Sequence, residues 1–372
     1  MIGGGPSGSS AAIGLAGSGM NVAVIERKAF PREVMCGEFL SREVIAAVRR
    51  FGLYEEFLAL RPNRLTEFSL TAEDGVRVTR QFGFEAWSLK RSLLDRMLLQ
   101  KAEACGARII QPATVLSIHR VQDGYEMAYS NGHAQESLSA SIVVAAYGKQ
   151  NPLDKSLKRA FVSKRSGKSG VKYHIPRALF AEIPAGTIQL FLAHGVYCGV
   201  NCVNENEVTV CSLVDGGRNA LHPNRGLEVL LENNRKFRGL FRGDPLAEFP
   251  GLVPYGSGHI YFGKRSIVEN GVFMIGDAAA VIAPLAGDGI GMAIESGLLL
   301  AHVVAKANRD SLDAPRMEAL YTREWKRLFR KRLTVASYLQ EIALRSLGGN
   351  LGGRLLNAFP LLTEGIIRGT RG

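Results

Sequence analysis

Apolar and polar positions follow two different periods along this chain, and the changes of period mark its elements. Ser9 to Gly19 is small and apolar enough to form a helix, and Val22-Ala23-Val24-Ile25 is an unbroken apolar run, the pattern of a buried parallel strand. Arg42 to Phe51 spaces Val44, Ile45 and Val48 along one helical face. Thr66 to Thr79 alternates as strands do, with Asp74-Gly75 at the hairpin turn. Ser88 to about Cys105 reads as a helix stopped by Gly106, Val115 to Ser130 as two strands, and Ala140 to Gly148 as a buried strand ending in a glycine turn.

From Phe161 to Val214 short strands and Gly/Pro turns predominate, at 170–175, 187–193, 197–203 and 207–213. They predict an antiparallel sheet able to roof a substrate cavity. Leu227 to Phe241 predicts a helix and Ser257 to Phe262 a strand returning to the first domain. Val272 to Ile275 is a short apolar strand, and a later helix runs to about Asn308. Beyond Asp310 the pattern stays helical. There Arg323, Lys326, Arg327, Arg330, Lys331 and Arg332 interleave with Trp325, Leu328 and Phe329, and the tail Leu355 to Ile367 is strongly apolar around Pro360. An interfacial helix has this pattern, and so does a segment packed on its own protein, which is the preferred expectation.

Composition narrows the class. Of 372 residues, 46% are apolar and 22% charged, which excludes a disordered chain and leaves room for two or three domains. No apolar run is expected to reach the length of a bilayer span, and no signal-peptide pattern opens the sequence. Five cysteines (Cys36, Cys105, Cys198, Cys202 and Cys211) form no CxxC pair, so a reducing cytoplasm is the expected location. Cys198 and Cys202 lack a His or Cys partner at metal spacing, so they are expected to be buried strand thiols and no metal site is expected. The net charge of +12 raises nucleic acid as a partner. The basic residues fall instead in separate places, 149–172 and 323–332, without a nucleic-acid module, so none is expected to bind. An acidic membrane surface, or an anionic substrate or reductant, accounts for the sign equally well.

Chemistry enters at the start of the chain. Gly3-x-Gly5-x-x-Gly8 supplies a tight turn, a place for backbone to approach a pyrophosphate, and a close helix-to-strand contact. Pro6 and Ser7 lie inside this turn and count with its glycines as cofactor-binding positions, and the helix that follows from Ser9 offers free amides and a dipole that favour negative charge. Eighteen residues after Gly8, the strand ends at Glu26 and Arg27, and the carboxylate can accept hydrogen bonds from ribose hydroxyls. Only Met1 and Ile2 precede Gly3, where a strand of about five residues belongs, so the natural chain is expected to start several residues earlier.

The segment Phe30-Pro31-Arg32-x-x-x-Cys36-Gly37-x-x-Leu40-Ser41 resembles a pattern of the geranylgeranyl reductase branch of the flavoproteins of para-hydroxybenzoate hydroxylase fold. That resemblance extends over roughly residues 1 to 310 and implies FAD. It implies that Arg91 contacts the cofactor near its pyrophosphate and that Gly148 lies on the adenosine side. There Ala146-Tyr147-Gly148 stands where Ala-Thr-Gly or Ala-Asp-Gly is usual. A second motif, Gly276-Asp277 followed by Pro284-Leu285-Ala286-Gly287-Asp288-Gly289-Ile290, resembles the one in which the Asp bonds the ribityl chain and the turn approaches the flavin ring. Backbone amides at that helix start can stabilise negative charge on a reduced flavin. The implied architecture is mixed α/β. A discontinuous Rossmann-like FAD-binding domain (1–65, 86–155 and 257–310) carries a sheet-rich substrate domain (66–85 and 156–256) and a C-terminal helical region (311–372).

The expected chemistry is reduction of carbon–carbon double bonds in an isoprenoid or similarly long apolar substrate. NAD(P)H or a protein donor is the external reductant. The resemblance places Cys36, Gly37 and Glu38 near flavin and substrate. Cys36 is read as shaping the pocket or assisting proton delivery, and Glu38 as an acid whose pKa burial raises. The alternative is a monooxygenase acting on an aromatic or polyketide ring, against which Ala280 counts, since hydroxylases of the fold carry His after Gly-Asp-Ala-Ala. With only Trp87 and Trp325 the chain cannot carry the Trp-x-Trp-x-x-Pro signature of halogenases. A third reading is a binding protein that has lost flavin. Partners are expected to be an apolar small molecule or lipid, in the cytoplasm or peripherally at the inner face of the membrane.

Overall fold

The computed structural model describes residues 1–164, 166–216, 225–248 and 251–345, so the apolar tail 355–367 lies outside the described residues. The major helices are α1 (Pro6–Ala16), α2 (Arg42–Arg50), α3 (Arg91–Ala104), α4 (Gly289–Arg309) and α5 (Ala314–Ala343). In chain order the first strands are β1 (Ala23–Ile25), β2 (Phe39–Leu40), β3 (Asn63–Thr71), β4 (Arg77–Ser88) and β5 (Arg108–Ile110). There follow β6 (Thr114–Val121), β7 (Gly124–Ser130), β8 (Gln135–Ala140), β9 (Val144–Ala145) and β10 (Lys168–Pro176). The last are β11 (Thr187–Ala193), β12 (Val196–Cys202), β13 (Glu207–Asp215), β14 (Tyr255–Ser257), β15 (Val268–Glu269) and β16 (Val272–Met274).

A parallel sheet carries the first glycine motif. Ile2 bridges Ile25 on one side and Ala145 on the other. Its N–H donates to Val144 O at 2.8 Å, and Gly3 N–H to Ile25 O at 2.9 Å. Met1 to Gly3 thus joins the β5–β1 pair to β9–β16, and β15 closes the edge antiparallel. The substrate side is an eight-stranded sheet in the order β14-β10-β13-β12-β11-β3-β4-β2, in which only β11 and β3 run parallel. A separate meander joins β6, β7 and β8.

Several local expectations shift. The strand expected at Ser257–Phe262 is instead β14, an edge pairing with β10 through Gly170↔Ser257 and Lys172↔Tyr255. The expected helix 227–241 breaks at Asn234, whose side chain accepts from Phe237 N–H and caps a second short turn. The expectation about bilayer-length runs also needs correction. By length and composition α4 could span a membrane, but 67% of its most apolar window is buried within the protein. In α5, Met317, Tyr321, Trp325 and Phe329 recur every fourth residue and are buried, and Tyr321 donates to Met274 O at 2.7 Å.

Helices α1 and α4 cross with almost no side chain between them. A Cβ on Gly14 would lie 2.7 Å from that of Ala301, and one on Gly297 would lie 2.4 Å from both Ser10 Oγ and Ser7 O. Ser10 Oγ is 2.7 Å from Pro6 O and 3.1 Å from Ile294 O, a contact between residues 284 positions apart. Replacing Gly297 with Ala is expected to lower stability by about 1–3 kcal/mol through overpacking, with Leu doing more damage. Denaturant unfolding at fixed pH reads this, and unchanged midpoints would mean that the helices do not touch there.

Candidate functional site

Both glycine motifs open on one cavity of about 920 Å³. Gly3 and Gly5 line it from the turn before α1, Pro6 and Ser7 from the start of α1, Glu26 and Arg27 from the end of β1, and Cys36, Gly37 and Glu38 from the segment before β2. Arg91 lines it at the start of α3 and Gly148 after β9. Asp277, Pro284, Gly287, Gly289 and Ile290 line it from the second motif.

The glycine turn is specified by space. Gly3 has φ +104°, and a Cβ there would sit 2.5 Å from Ala146 O. Gly8 does not line the cavity. Its absent side chain admits Gly3 O, which a Cβ would meet at 1.9 Å. A Cβ on Gly5, by contrast, would have no neighbour within 4 Å but the Arg32 guanidinium, at 3.5 Å. Gly5 caps α1 without a side-chain bond, and Pro6 at the first helical position has no N–H to lose, so the first-turn amides are left for a ligand. Gly276, also off the cavity wall, takes φ +58°, donates its N–H to Ser296 Oγ at 2.7 Å and leaves room for Ser7.

Charge is arranged around this turn. Glu26 accepts from Gly4 N–H at 2.8 Å and Lys28 N–H at 3.0 Å, which fixes the carboxylate at the cavity edge with lone pairs to spare. Arg91 donates twice to Asp95, at 2.7 and 2.8 Å, and Arg32 once, at 3.2 Å. Burial works against the charge of Arg91, but Asp95 and its hydrogen-bond contact with Cys36 outweigh it and keep the guanidinium charged. Arg32 and Asp95 were not singled out from sequence. Arg32 stood only as part of the Phe-Pro-Arg pattern, and Asp95 was legible as the i+4 partner of Arg91. Two helix amino ends, an open glycine, two arginines and a ribose-competent carboxylate together fit a dinucleotide with an anionic pyrophosphate, as FAD requires.

Two neighbouring residues have other work. Asp288, expected at the cofactor, is buried away from the cavity, where Ser41 Oγ and Arg332 Nη1 both approach it at 3.3 Å; it ties α2 and α5 to the second motif. The ring of Tyr147 reaches Asp154, to which its hydroxyl donates at 2.7 Å. Asp154 pairs with the fully buried Arg159, which also donates to Ala278 O at 2.8 Å. The bulky residue in the Ala-Tyr-Gly turn therefore braces the loop after Asp277.

Glu38 overturns the expectation of a raised pKa. It is fully buried with φ +60°. Its carboxylate accepts from His174 Nε2 at 2.7 Å, Lys172 Nζ at 2.9 Å, Thr209 Oγ1 at 2.5 Å and Arg91 N–H at 2.9 Å. Burial does push the pKa up, but the His174 bond, the Lys172 charge and the Thr209 bond together pull it down to about 2. Glu38 is an anion at neutral pH, not a proton donor. Glu33, Glu38 and His174 stand close enough to bind a cation, but Lys172 Nζ already supplies one, 2.8 Å from Glu33 and 2.9 Å from Glu38. Cys36 Sγ accepts Glu38 N–H at 3.3 Å and faces the cavity.

Beyond the glycine motifs the cavity wall is the eight-stranded sheet. Phe68 opposes Ile188 and Leu70 opposes Leu190 across β3 and β11, and Gly199 of β12 follows beside Leu190. With Phe82, Tyr197 and Leu213 they make an apolar floor. Asn201, on the Tyr197 and Gly199 face of β12, is fully buried, and neither amide atom has a partner among the described residues. Such an orphan costs about 1–3 kcal/mol, which a polar atom placed in the cavity would offset.

The family model described as FAD binding domain matches residues 1–195. The menaquinone reductase of Mycobacterium tuberculosis is 26% identical over 85% of this chain and 77% of its own length. The digeranylgeranylglycerophospholipid reductase of Methanocaldococcus jannaschii is 24% identical over 88% and 81%. Among solved structures, the flavin-dependent brominase Bmp2 has a TM-score of 0.77 at 18% identity, covering 99% of this chain and 92% of that one. A geranylgeranyl bacteriochlorophyll reductase-like protein from Thermoplasma acidophilum has 0.74 at 21% identity, covering 92% and 86%. These likenesses establish the shared fold.

Replacing Gly5 with Val is expected to leave the chain folded but colourless, because the new side chain points into open cavity. Flavin absorbance after gel filtration reads this, and a yellow variant of unchanged affinity would contradict the placement. Glu38 couples stability to pH. Its folded pKa, about 2, lies below its ordinary 4.5, so its contribution is complete above pH 4.5 and disappears as pH falls towards 2. Wild-type stability is expected to drop by about 3 kcal/mol across that window from this group, whereas Glu38→Gln lacks that dependence and begins about 3 kcal/mol lower at neutral pH. Urea unfolding over a pH series distinguishes the two curves.

Proposed function

The chain belongs to the FAD-binding domain family, as an FAD-dependent oxidoreductase, and we propose that it reduces carbon–carbon double bonds in a long apolar substrate of prenyl type. The carrying observation is continuity. One continuous cavity is lined at one end by the glycine turn and at the other by the apolar floor of Phe68, Leu70, Phe82, Ile188 and Leu190. The names of the two curated relatives, a menaquinone reductase and a digeranylgeranylglycerophospholipid reductase, support the same substrate class.

Bound and reduced, FAD supplies hydride to one carbon of the double bond. The chain's own residues do the rest. Arg32 and Arg91 would hold the phosphates, the amino ends of α1 and α4 would face the cofactor's negative charge, and the sheet floor would align the polyene and keep water away. The second carbon needs a proton. Glu38, already ionised, has none to give, and we assign the role to the Cys36 thiol. The proton leaves Sγ for carbon, and solvent restores it to the resulting thiolate. NAD(P)H and a protein donor both serve as candidate sources of electrons for the flavin.

Anaerobic incubation of dithionite-reduced holoprotein with geranylgeranyl and prenylquinone lipids is expected to give products with two more hydrogens per reduced bond. Replacing Cys36 with Ala is expected to slow turnover about 100-fold while FAD affinity stays unchanged. Oxygen incorporated into a phenolic substrate under air, with no alkene saturated, would establish the monooxygenase instead. Failure of the wild type to take up FAD would leave a flavin-free binding protein.

A further inference from the structure

Helix α5 has two faces of opposite character. Its apolar face is buried against the protein through Tyr321, Trp325 and Phe329. The outer face presents Arg316, Arg323, Lys326, Arg327, Arg330 and Lys331, all exposed. At about 100° per residue these six fall within an arc of about 140°. Two acids answer them: Glu324 pairs with Arg323 and Arg327 at 3.1 and 2.9 Å, and Asp313 lies 3.8 Å from Arg316. The stripe therefore keeps a net positive charge.

The same face changes at its C-terminal end. Tyr338 is 70% exposed and Ile342, one turn further, 49%. Leu339, between them, lines the cavity. On another segment Val253 is 66% exposed and its neighbour Pro254 lines the cavity. Large apolar groups are thus turned to solvent on two elements that border the cavity, and the cationic stripe leads up to one of them.

We propose that this face docks on an anionic lipid bilayer, with the stripe over the headgroup phosphates and Tyr338, Ile342 and Val253 in the interfacial layer. The cavity then meets the phase in which an apolar substrate dissolves. Cations alone would suit any polyanion. The apolar groups beside them select a surface with a hydrocarbon layer under its charge, which a nucleic-acid backbone lacks. The proposal gives a route to the substrate class proposed above, but its test needs no turnover, so either reading can fail without the other.

Full-length, FAD-loaded protein is floated with vesicles of phosphatidylcholine alone and of phosphatidylcholine mixed with phosphatidylglycerol. Binding is expected only to the mixed vesicles and is expected to weaken steeply with added salt. Replacing Arg323, Lys326 and Arg330 together with Gln should weaken it about 100-fold, with flavin content and melting temperature unchanged. Replacing Tyr338 and Ile342 with Ser should weaken binding while preserving its salt dependence. Equal binding to both vesicle types, no flotation at low salt, or a Gln variant that binds as wild type would overturn the proposal. So would tighter binding to a DNA duplex than to the mixed vesicles.

Discussion

The contact between α1 and α4 is the constraint on which the site depends. Each helix brings an uncapped amino end to the cavity, and each end is useful only if the other lies beside it, since one dinucleotide must reach from the first to the second. Side chains of ordinary size would hold the axes roughly 8–10 Å apart. Gly14 and Gly297 remove them at the crossing, and Ser10 turns its hydroxyl toward the backbone of α4. Gly276 fits the same scheme, because a side chain there would strike Ser7. Glycines that resemble a cofactor motif in sequence therefore divide into two kinds. Gly5 leaves space for a ligand, whereas Gly8 and Gly276 leave space for the protein itself.

A second constraint joins the cofactor side to the substrate sheet. Residues 30–41 cross between them without long regular structure, and Glu38 fastens that crossing. An anion out of contact with water is tolerated because four donors surround it, and Lys172 carries the compensating charge. Lys172, His174 and Thr209 belong to β10 and β13, so the bond network pins the Cys36 segment to two adjacent strands beside the β14 edge of the eight-stranded sheet. Architecture and chemistry are separated here by two positions in sequence. Glu38 fixes the segment, and Cys36, which accepts Glu38 N–H, is left at the cavity surface.

What could be read in the sequence follows the range of the interactions involved. The glycine turn, Glu26 and Gly276-Asp277 are local patterns whose geometry is set by a few adjacent residues, and all but Gly4, Gly8 and Gly276 among those residues reach the cavity wall. The amphipathic face of α5 was legible for the same reason. Glu38 was misjudged because its partners lie 134, 136 and 171 positions away, and burial alone, without them, argues for a raised pKa. Asp288 was misjudged because a residue inside a glycine-rich turn can face either way. Arg332, which draws it inward, comes from a helix with no pattern connecting it to the turn. The strands β2, β5 and β15 have two or three residues each and exist through their pairing, so no periodicity announced them.

The fold is shared by brominases and by reductase-like proteins, so the choice of chemistry has to reside in the groups around the reacting atoms. Glu33 and Glu38 share Lys172, and Arg32 and Arg91 share Asp95, two acids on one cation and two cations on one acid. The charges bordering the apolar floor therefore nearly cancel. A floor with little net field neither polarises an isolated double bond nor stabilises an ion made from it. In the proposed reaction hydride addition then gains little from electrostatics, and its barrier depends on a proton arriving at the adjacent carbon as the hydride does. That requirement places the burden on a thiol held at a fixed position, which the buried Glu38 anchor supplies through its backbone bond to Cys36.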